Sequence, residues 1–353
     1  MISMTRKSRW KYIRNIIIVL SITLICASIS IGKNYKEVIE TIRQANTYWI
    51  LFMLVLMISY YLLDALIILT FGKAFKHDYR YVQAFRNTMS GVFLSDITPS
   101  SSGGQFAQIY VFNKQGINAT NGSSIVLMCF ITHQSVLVVY SMIALLFNLS
   151  YIINNTFLGL LILLGFISNL GFIAILFLGA KSKKVQNFLV YKVVKFLCHL
   201  RVIKNYEETS AKVINYLHDF RKQLDFLQHN KRVLMISCVC NVGKMTIIYC
   251  LPFLATQALW LGVSIHDLGK FVSYCSFIYL INAFLPIPGA SGGSEVCYML
   301  FYGFLGSVGA SSSMTLWRFM SYYVGLFMSG MIFSFDKEIN GPGINKVKIE
   351  DME

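Results

Sequence analysis

Two apolar stretches of this chain are each interrupted by proline and a turn of small residues. The first break reads Pro99-Ser100-Ser101-Ser102-Gly103-Gly104, and Pro288-Gly289-Ala290-Ser291-Gly292-Gly293 follows 288 − 99 = 189 residues later. In hydrocarbon every backbone N–H and C=O must find its partner inside the protein. Non-helical backbone survives there only where protein or a watery cavity surrounds it. Proline lacks a donor and clashes with the preceding turn, and glycine in a helix costs about 1 kcal/mol against alanine. Each break therefore ends one helix and starts another. The flanking pieces, 82–98 and 105–114, then 269–285 and 294–306, are ten to seventeen residues long. At ~1.5 Å per residue none crosses ~30 Å of hydrocarbon alone. The economical fold is a re-entrant hairpin at each break. Ser123-Ser124 and Ser312-Ser313 keep the same offset (312 − 123 = 189). Broken apolar segments at corresponding positions of two halves point to a transport site near the bilayer midplane.

Apolar runs near 13–31, 48–71, 119–147, 155–180, 233–259 and 314–335 approach or exceed the ~20 residues that span a bilayer. Only 13% of residues are charged, against roughly 25% in soluble domains, which excludes an ordinary soluble enzyme. The run at 13–31 follows Arg6, Lys7, Arg9, Lys11 and Arg14 as a signal peptide would. It lacks a small-residue cleavage site and reads as a retained first helix. The net charge of +15 is unevenly placed: twelve Lys and Arg lie between Lys181 and Arg232, and none in the loops expected at 148–154 and 307–313. That is the positive-inside pattern, not a nucleic-acid footprint, and it places both termini in the cytoplasm with six crossings between them. Lys33, Lys36 and Arg43, in the loop 32–47, fit this topology less well.

Three full spans separate the breaks, so the first hairpin enters from the cytoplasm and the second from outside. The expected fold is an all-α polytopic membrane protein with six full spans plus two re-entrant hairpins in an inverted repeat. Its parts are a first membrane half, 1–180, with a hairpin near 82–114, and a cytoplasmic basic amphipathic segment, 181–232. A second membrane half, 233–335, carries a hairpin near 269–306, and a short cytoplasmic tail, 336–353, follows. Within 181–232, Leu189, Val193, Phe196, Leu200 and Ile203 form one helical stripe, and Val213, Leu217, Phe220, Leu224 and Leu227 another. Two helices lying on an anionic leaflet, or packing on the bundle, would satisfy both stripes.

A helix start offers free N–H groups to phosphate or carboxylate. Ser102, Gly103, Gly104, Gln105 and Ser291, Gly292, Gly293, Glu295 are therefore the candidate lipid-binding residues; the small residues also suit close helix packing. Ionisable residues at membrane depth are functional candidates by default, and here they are Asp64, Asp96, His133, Lys244, Glu295 and Arg318. Asp96 precedes the first break and Glu295 follows the second. Lys244 lies mid-span, Asp64 toward the cytoplasmic end of its span, and Arg318 near an outer end, within snorkelling reach of the interface. Three acids facing two strong bases predict internal ion pairs. The eight cysteines show neither metal-ligand spacing nor a disulfide framework, so no metal and no cofactor is expected. No catalytic residue is assigned: His-Glu-x-x-His is absent, and Gly243-Lys244-Met245-Thr246 lacks the upstream glycine of a phosphate loop.

Asp96-Ile97-Thr98-Pro99-Ser100-Ser101-Ser102-Gly103-Gly104-Gln105, running on to Tyr110 and Gly116-Ile117, is similar to the first signature of the lysylphosphatidylglycerol synthase/flippase membrane-domain family. Pro286-Ile287-Pro288-Gly289-Ala290-Ser291-Gly292-Gly293-Ser294-Glu295 resembles its second, and Leu316-Trp317-Arg318-Phe319 with Tyr322-Tyr323 its final-span motif. The resemblance covers nearly the whole chain. It implies a lipid flippase-like protein of a bacterial plasma membrane that moves aminoacylated phosphatidylglycerol, or a related anionic lipid, between leaflets. Family members with a cytosolic acyltransferase domain make that lipid from lysyl-tRNA. Residues 336–353 are too few for such a domain, so synthesis by this chain alone is not expected. Gln105 and Gln108 stand where many relatives carry Glu and Arg, which leaves the headgroup open. The competing readings are a phosphatidylglycerol lysyltransferase working with a separate catalytic domain, and a small-solute or ion transporter. Expected partners are membrane phospholipids and, for the enzyme reading, a separate acyltransferase. Nucleic acid enters only through tRNA, and a homo-oligomer is left open.

Overall fold

The computed structural model describes residues 35–98, 102–149, 156–188, 192, 195, 198, 206–283 and 292–336. The expected first span at 13–31, the turns 99–101 and 284–291 with Ser291, most of the first amphipathic stripe and the tail 337–353 lie outside them, as does the Ser102 side chain. The described residues are helices joined by short turns, with no strand among them. The chain is an all-α membrane protein.

A short helix α1 (Tyr35–Arg43) leads to α2 (Thr47–Phe75). Asn46 caps α2 by accepting the Tyr48 N–H at 2.9 Å, which satisfies one of the donors every helix start leaves bare. The hairpin α3 (Tyr81–Asp96) and α4 (Ser102–Lys114) comes next, then the long helices α5 (Ala119–Phe147) and α6 (Thr156–Lys181). A short α7 (Lys183–Phe188) and the amphipathic α8 (Tyr206–His229) precede α9 (Lys231–Ala258). The second hairpin is α10 (Leu268–Asn282) and α11 (Gly293–Tyr302). A last helical run comprises α12 (Gly306–Arg318), a π turn (Phe319–Tyr323) and α13 (Val324–Phe335).

Among the described residues, four helices are long and apolar enough to cross a membrane: Thr47–Phe75, Ala119–Phe147, Thr156–Ile175 and Lys231–Ala258. Their outward faces carry Val55, Leu146, Leu163, Ile167 and Val239, all exposed. Such a belt is unfavourable in water and suits lipid. The central helix is α9, packed against α2, α5, α10 and α12. The Asn46 N–H donates to Ala258 O at 2.8 Å, which ties the start of α2 to the end of α9 and sets the two antiparallel.

Each hairpin consists of two half-length antiparallel helices. In the first, Gln115 Nε2 donates to Gln83 O at 2.9 Å near the open end, and Asn87 Nδ2 to Gln108 O at 3.0 Å further in. At the tip the Gly103 N–H donates to Thr98 Oγ1 at 2.9 Å. A Cβ added to Gly104 would lie 2.6 Å from the Gly91 carbonyl oxygen, so the arms meet this closely only because that position is glycine. In the second hairpin, Tyr302 OH donates to Phe271 O at 2.7 Å at the open end, and Asn282 Nδ2 to Ser294 Oγ at 2.8 Å at the tip. Adding the repeat offset to the starts of α3 and α4 gives 81 + 189 = 270 and 102 + 189 = 291. Helices α10 and α11 start at 268 and 293.

One loop expectation is overturned. Residues 307–313, uncharged and rich in Ser and Gly, are the first turns of α12 and continue unbroken to Phe335. Ser311, Ser312 and Ser313 are buried, and Ser313 Oγ donates back to Gly309 O at 2.7 Å. These small side chains, with Ser313 and Thr315 bonding back to their own helix, let α12 pack closely on α9, α11 and α1. The last membrane helix is thus longer than its apolar run, and its starting point moves back to Gly306.

The stripe on α8 meets protein. Leu217 and Phe220 are buried with Leu127 of α5, joined by Phe172 of α6 and by Val213 and Leu224. Gln223 Nε2 donates to Ser124 Oγ at 2.8 Å, and Arg221 and Lys222 stay exposed. Along this stripe the helix packs on the bundle.

Candidate functional site

A cavity of about 490 Å³ lies between the two hairpins, walled by α2, α3, α4, α5, α9, α10, α11 and the last helix. Its size is within the ~300–1,000 Å³ usual for ligand sites. Among the residues named from the sequence, Asp64, Asp96, Gly104, Gln105, His133, Lys244 and Arg318 line it. Gly103, Gly292, Gly293 and Glu295 stand behind the wall, and Ser102 is placed at the tip by its backbone alone.

Two ion pairs face the cavity. Lys244 of α9 hydrogen-bonds Asp64 of α2, and its ammonium is 5.6 Å from the Tyr60 ring centre. Tyr60 and Asp64 are four residues apart on α2, so they share one helix face and meet the same lysine. The second pair joins the last helix to the second hairpin. Arg318 Nε donates to Glu295 Oε1 at 2.7 Å, and the guanidinium lies 4.8 Å from the Tyr322 ring centre. Arg318 is only 8% exposed. The expected snorkelling arginine is instead a mid-helix ion-pair member, because the helix begins at Gly306 rather than at 314.

Glu295 is held twice. Its second oxygen, Oε2, accepts the Gly292 backbone N–H at 2.6 Å. Gly292 adopts φ 90°, a region that costs a residue with a Cβ roughly 1–2 kcal/mol, so the turn and the carboxylate fix each other. The N–H of Gly103 is likewise engaged by Thr98. At both breaks, then, a donor near the helix start is taken up by the protein's own side chain.

Asp96 differs from the other acids. It is the last residue of α3, where the carbonyl end of the helix dipole disfavours negative charge. Its backbone carbonyl accepts Tyr322 OH at 3.0 Å, yet its carboxylate makes no ion pair among the described residues. Counting Glu295 behind the wall, the described residues of the site include three acids, the strong bases Lys244 and Arg318, and His133, and both strong bases are engaged.

Of the remaining lining, Gln108, Ser294 and Tyr322 stood in the motifs read from the sequence, and the other residues were not singled out there. Tyr60, Tyr61, Tyr249, Tyr279 and Tyr322 give the cavity an aromatic wall, and Gln108, Gln134, Asn282 and Ser294 add neutral polar groups. Helical spacing held a signal for two of them: Tyr60 precedes Asp64 by four residues and Tyr322 follows Arg318 by four. Thr88 lines the cavity with no exposed surface, and its hydroxyl lacks a hydrogen-bond partner. No cluster of metal-ligating side chains occurs among the described residues.

A family model described as the lysylphosphatidylglycerol synthase TM region matches residues 15–329. That range contains both breaks, the last helix as far as Ser329, and every residue lining the cavity. No curated protein matches the chain.

Proposed function

We propose that this chain, which belongs to the lysylphosphatidylglycerol synthase membrane-region family, moves lipid headgroups between leaflets through the cavity between its two hairpins. The observation that carries the reading is a charged, tyrosine-lined cavity of about 490 Å³ inside helices whose outer faces are apolar. Burying charge inside a membrane protein is costly and marks a substrate or ion path. Helix α4 joins the two environments. Gln105 and Gln108 line the cavity, while Phe106, 74% exposed, and the exposed Tyr110 lie on the outer face of the same helix. A headgroup would lie against Gln105, Gly104 and the charged walls while acyl chains stay in lipid beside Phe106. The substrate class is aminoacylated phosphatidylglycerol or a related phospholipid. The setting is a bacterial plasma membrane, with the termini and α8 in the cytoplasm and the hairpins entering from opposite faces as an inverted repeat.

The test is reconstitution of the purified chain in liposomes with fluorescent phospholipids of several headgroups, including lysylphosphatidylglycerol, followed by quenching of the outer leaflet. Wild-type protein should expose inner-leaflet lipid to the quencher, and Gly104→Leu, which fills the approach between α3 and α4, should not. Failure to move any headgroup would remove the reading.

A further inference from the structure

The acids beside the two breaks are unequally satisfied. Glu295 is 2% exposed and bonded to both Arg318 and the Gly292 N–H. Asp96 faces the cavity without a cation of its own. It has little freedom to withdraw, because Tyr322 holds its carbonyl and Gly91 and Gly104 press α3 against α4. The groups facing it are Tyr60 and Tyr61 from α2, Arg318 and Tyr322 from the last helix, and across the cavity Lys244, Asp64 and His133; Glu295 of α11 stands behind Arg318. Arg318 is bound to Glu295 and Lys244 to Asp64. Eight residues before Asp96 on the same helix, the unpartnered Thr88 hydroxyl also borders the cavity. A bound cation would find an acceptor at Asp96.

We infer that Asp96 is an exchange site that holds either a proton or the ammonium of a headgroup, never both. The inference rests on the transporter reading above and adds its energy source. In the empty state the carboxyl carries a proton, so the third acid bears no charge. When an ammonium arrives, the O–H bond breaks, the proton leaves to water and the carboxylate pairs with the ammonium. One positive charge replaces another, and the site never shows a bare carboxylate to a low-dielectric surround, where an unpaired ion is costly. Substrate moving one way then requires protons moving the other.

Two measurements on the full chain test this. In detergent and weak buffer with a pH indicator, short-chain lysylphosphatidylglycerol should release about one proton per bound lipid at the acid end of pH ~5–8, declining as pH rises. Short-chain phosphatidylglycerol, without an ammonium, should release none, nor should lysylphosphatidylglycerol on Asp96→Asn. That variant keeps the Tyr322 bond, which uses the backbone. In liposomes, a gradient of one pH unit should tilt the steady-state leaflet ratio of lysylphosphatidylglycerol by up to about tenfold, and an ionophore exchanging protons for potassium should abolish the tilt. Equal release from the two lipids, no release from wild type, or undiminished release from Asp96→Asn overturns the exchange site. Lipid movement indifferent to the gradient also overturns it and leaves the flippase reading standing. Proton release without lipid movement keeps the exchange site and overturns the flippase reading.

Discussion

Replacing Arg318 by Met leaves Glu295 buried with the Gly292 N–H as its partner but without its cation. Glu295→Gln does the reverse: its amide oxygen can still accept the Gly292 N–H, and Arg318 loses its counter-charge. Removing one member of a buried pair typically costs about 3–5 kcal/mol, because the other charge is left uncompensated. Replacing both by neutral groups of similar volume is often close to neutral. The side chains of Arg318 and Glu295 are 9% and 3% exposed, so solvent offers little relief and the full range applies. Each single variant should therefore lose about 3–5 kcal/mol, and the double variant no more than ~1 kcal/mol. Independent losses would sum to about 6–10 kcal/mol, so the cycle should show a coupling of at least ~5 kcal/mol. Thermal unfolding in detergent micelles, at matched protein and lipid content, provides the comparison. The expected order is wild type close to the double variant, with both singles well below. A double variant as unstable as the sum of the singles would refute the account, since the residues would then stabilise the fold through separate contacts.

Gly104→Ala should push α4 off α3, because the new carbon would sit 2.6 Å from the Gly91 carbonyl oxygen. A loss of about 1–3 kcal/mol in thermal unfolding is expected, together with slowed lipid movement. Phe220→Ala on α8 should cost about 3–5 kcal/mol, since that ring is buried against the α5–α6 surface. A helix resting only on lipid would show weaker vesicle binding and almost unchanged unfolding.

The hairpins were legible because proline and paired glycines are local statements about backbone, and hydrocarbon punishes any backbone left unpaired. The start of the last helix was not. Residues 307–313 carry small, polar-leaning side chains that look like a loop by hydropathy, but inside a packed bundle their small size permits close approach, and Ser313 bonds back to its own helix. That misplacement also put Arg318 at an interface. Its link to Glu295 spans 23 residues and the link from Lys244 to Asp64 spans 180. No local pattern reports which acid takes which base. Tyr60, Tyr61, Tyr249 and Tyr279 were missed for a related reason: tyrosine within an apolar run is equally at home in a core, at an interface or on a cavity wall. Only the position of the neighbouring helices separates those cases.

The π turn at Phe319–Tyr323 sets the phase of everything after Arg318. There the Val324 N–H reaches back five residues to Phe319 O, so the turn contains one residue more than a regular helix would use. Arg318 points into the cavity above it, while below it Gly325 receives the Tyr61 hydroxyl, Gly330 receives the Phe93 ring, and Asp336 pairs with Arg86 at 2.9 Å. A straight α-helix advances ~100° per residue. Deleting a single residue from the wide turn would thus rotate α13 by about that angle relative to Arg318. Asp336 would swing away from Arg86 and the two glycines away from the rings they accommodate. The extra residue is a gear offset: it lets one helix present its upper half to the second hairpin and its lower half to the first.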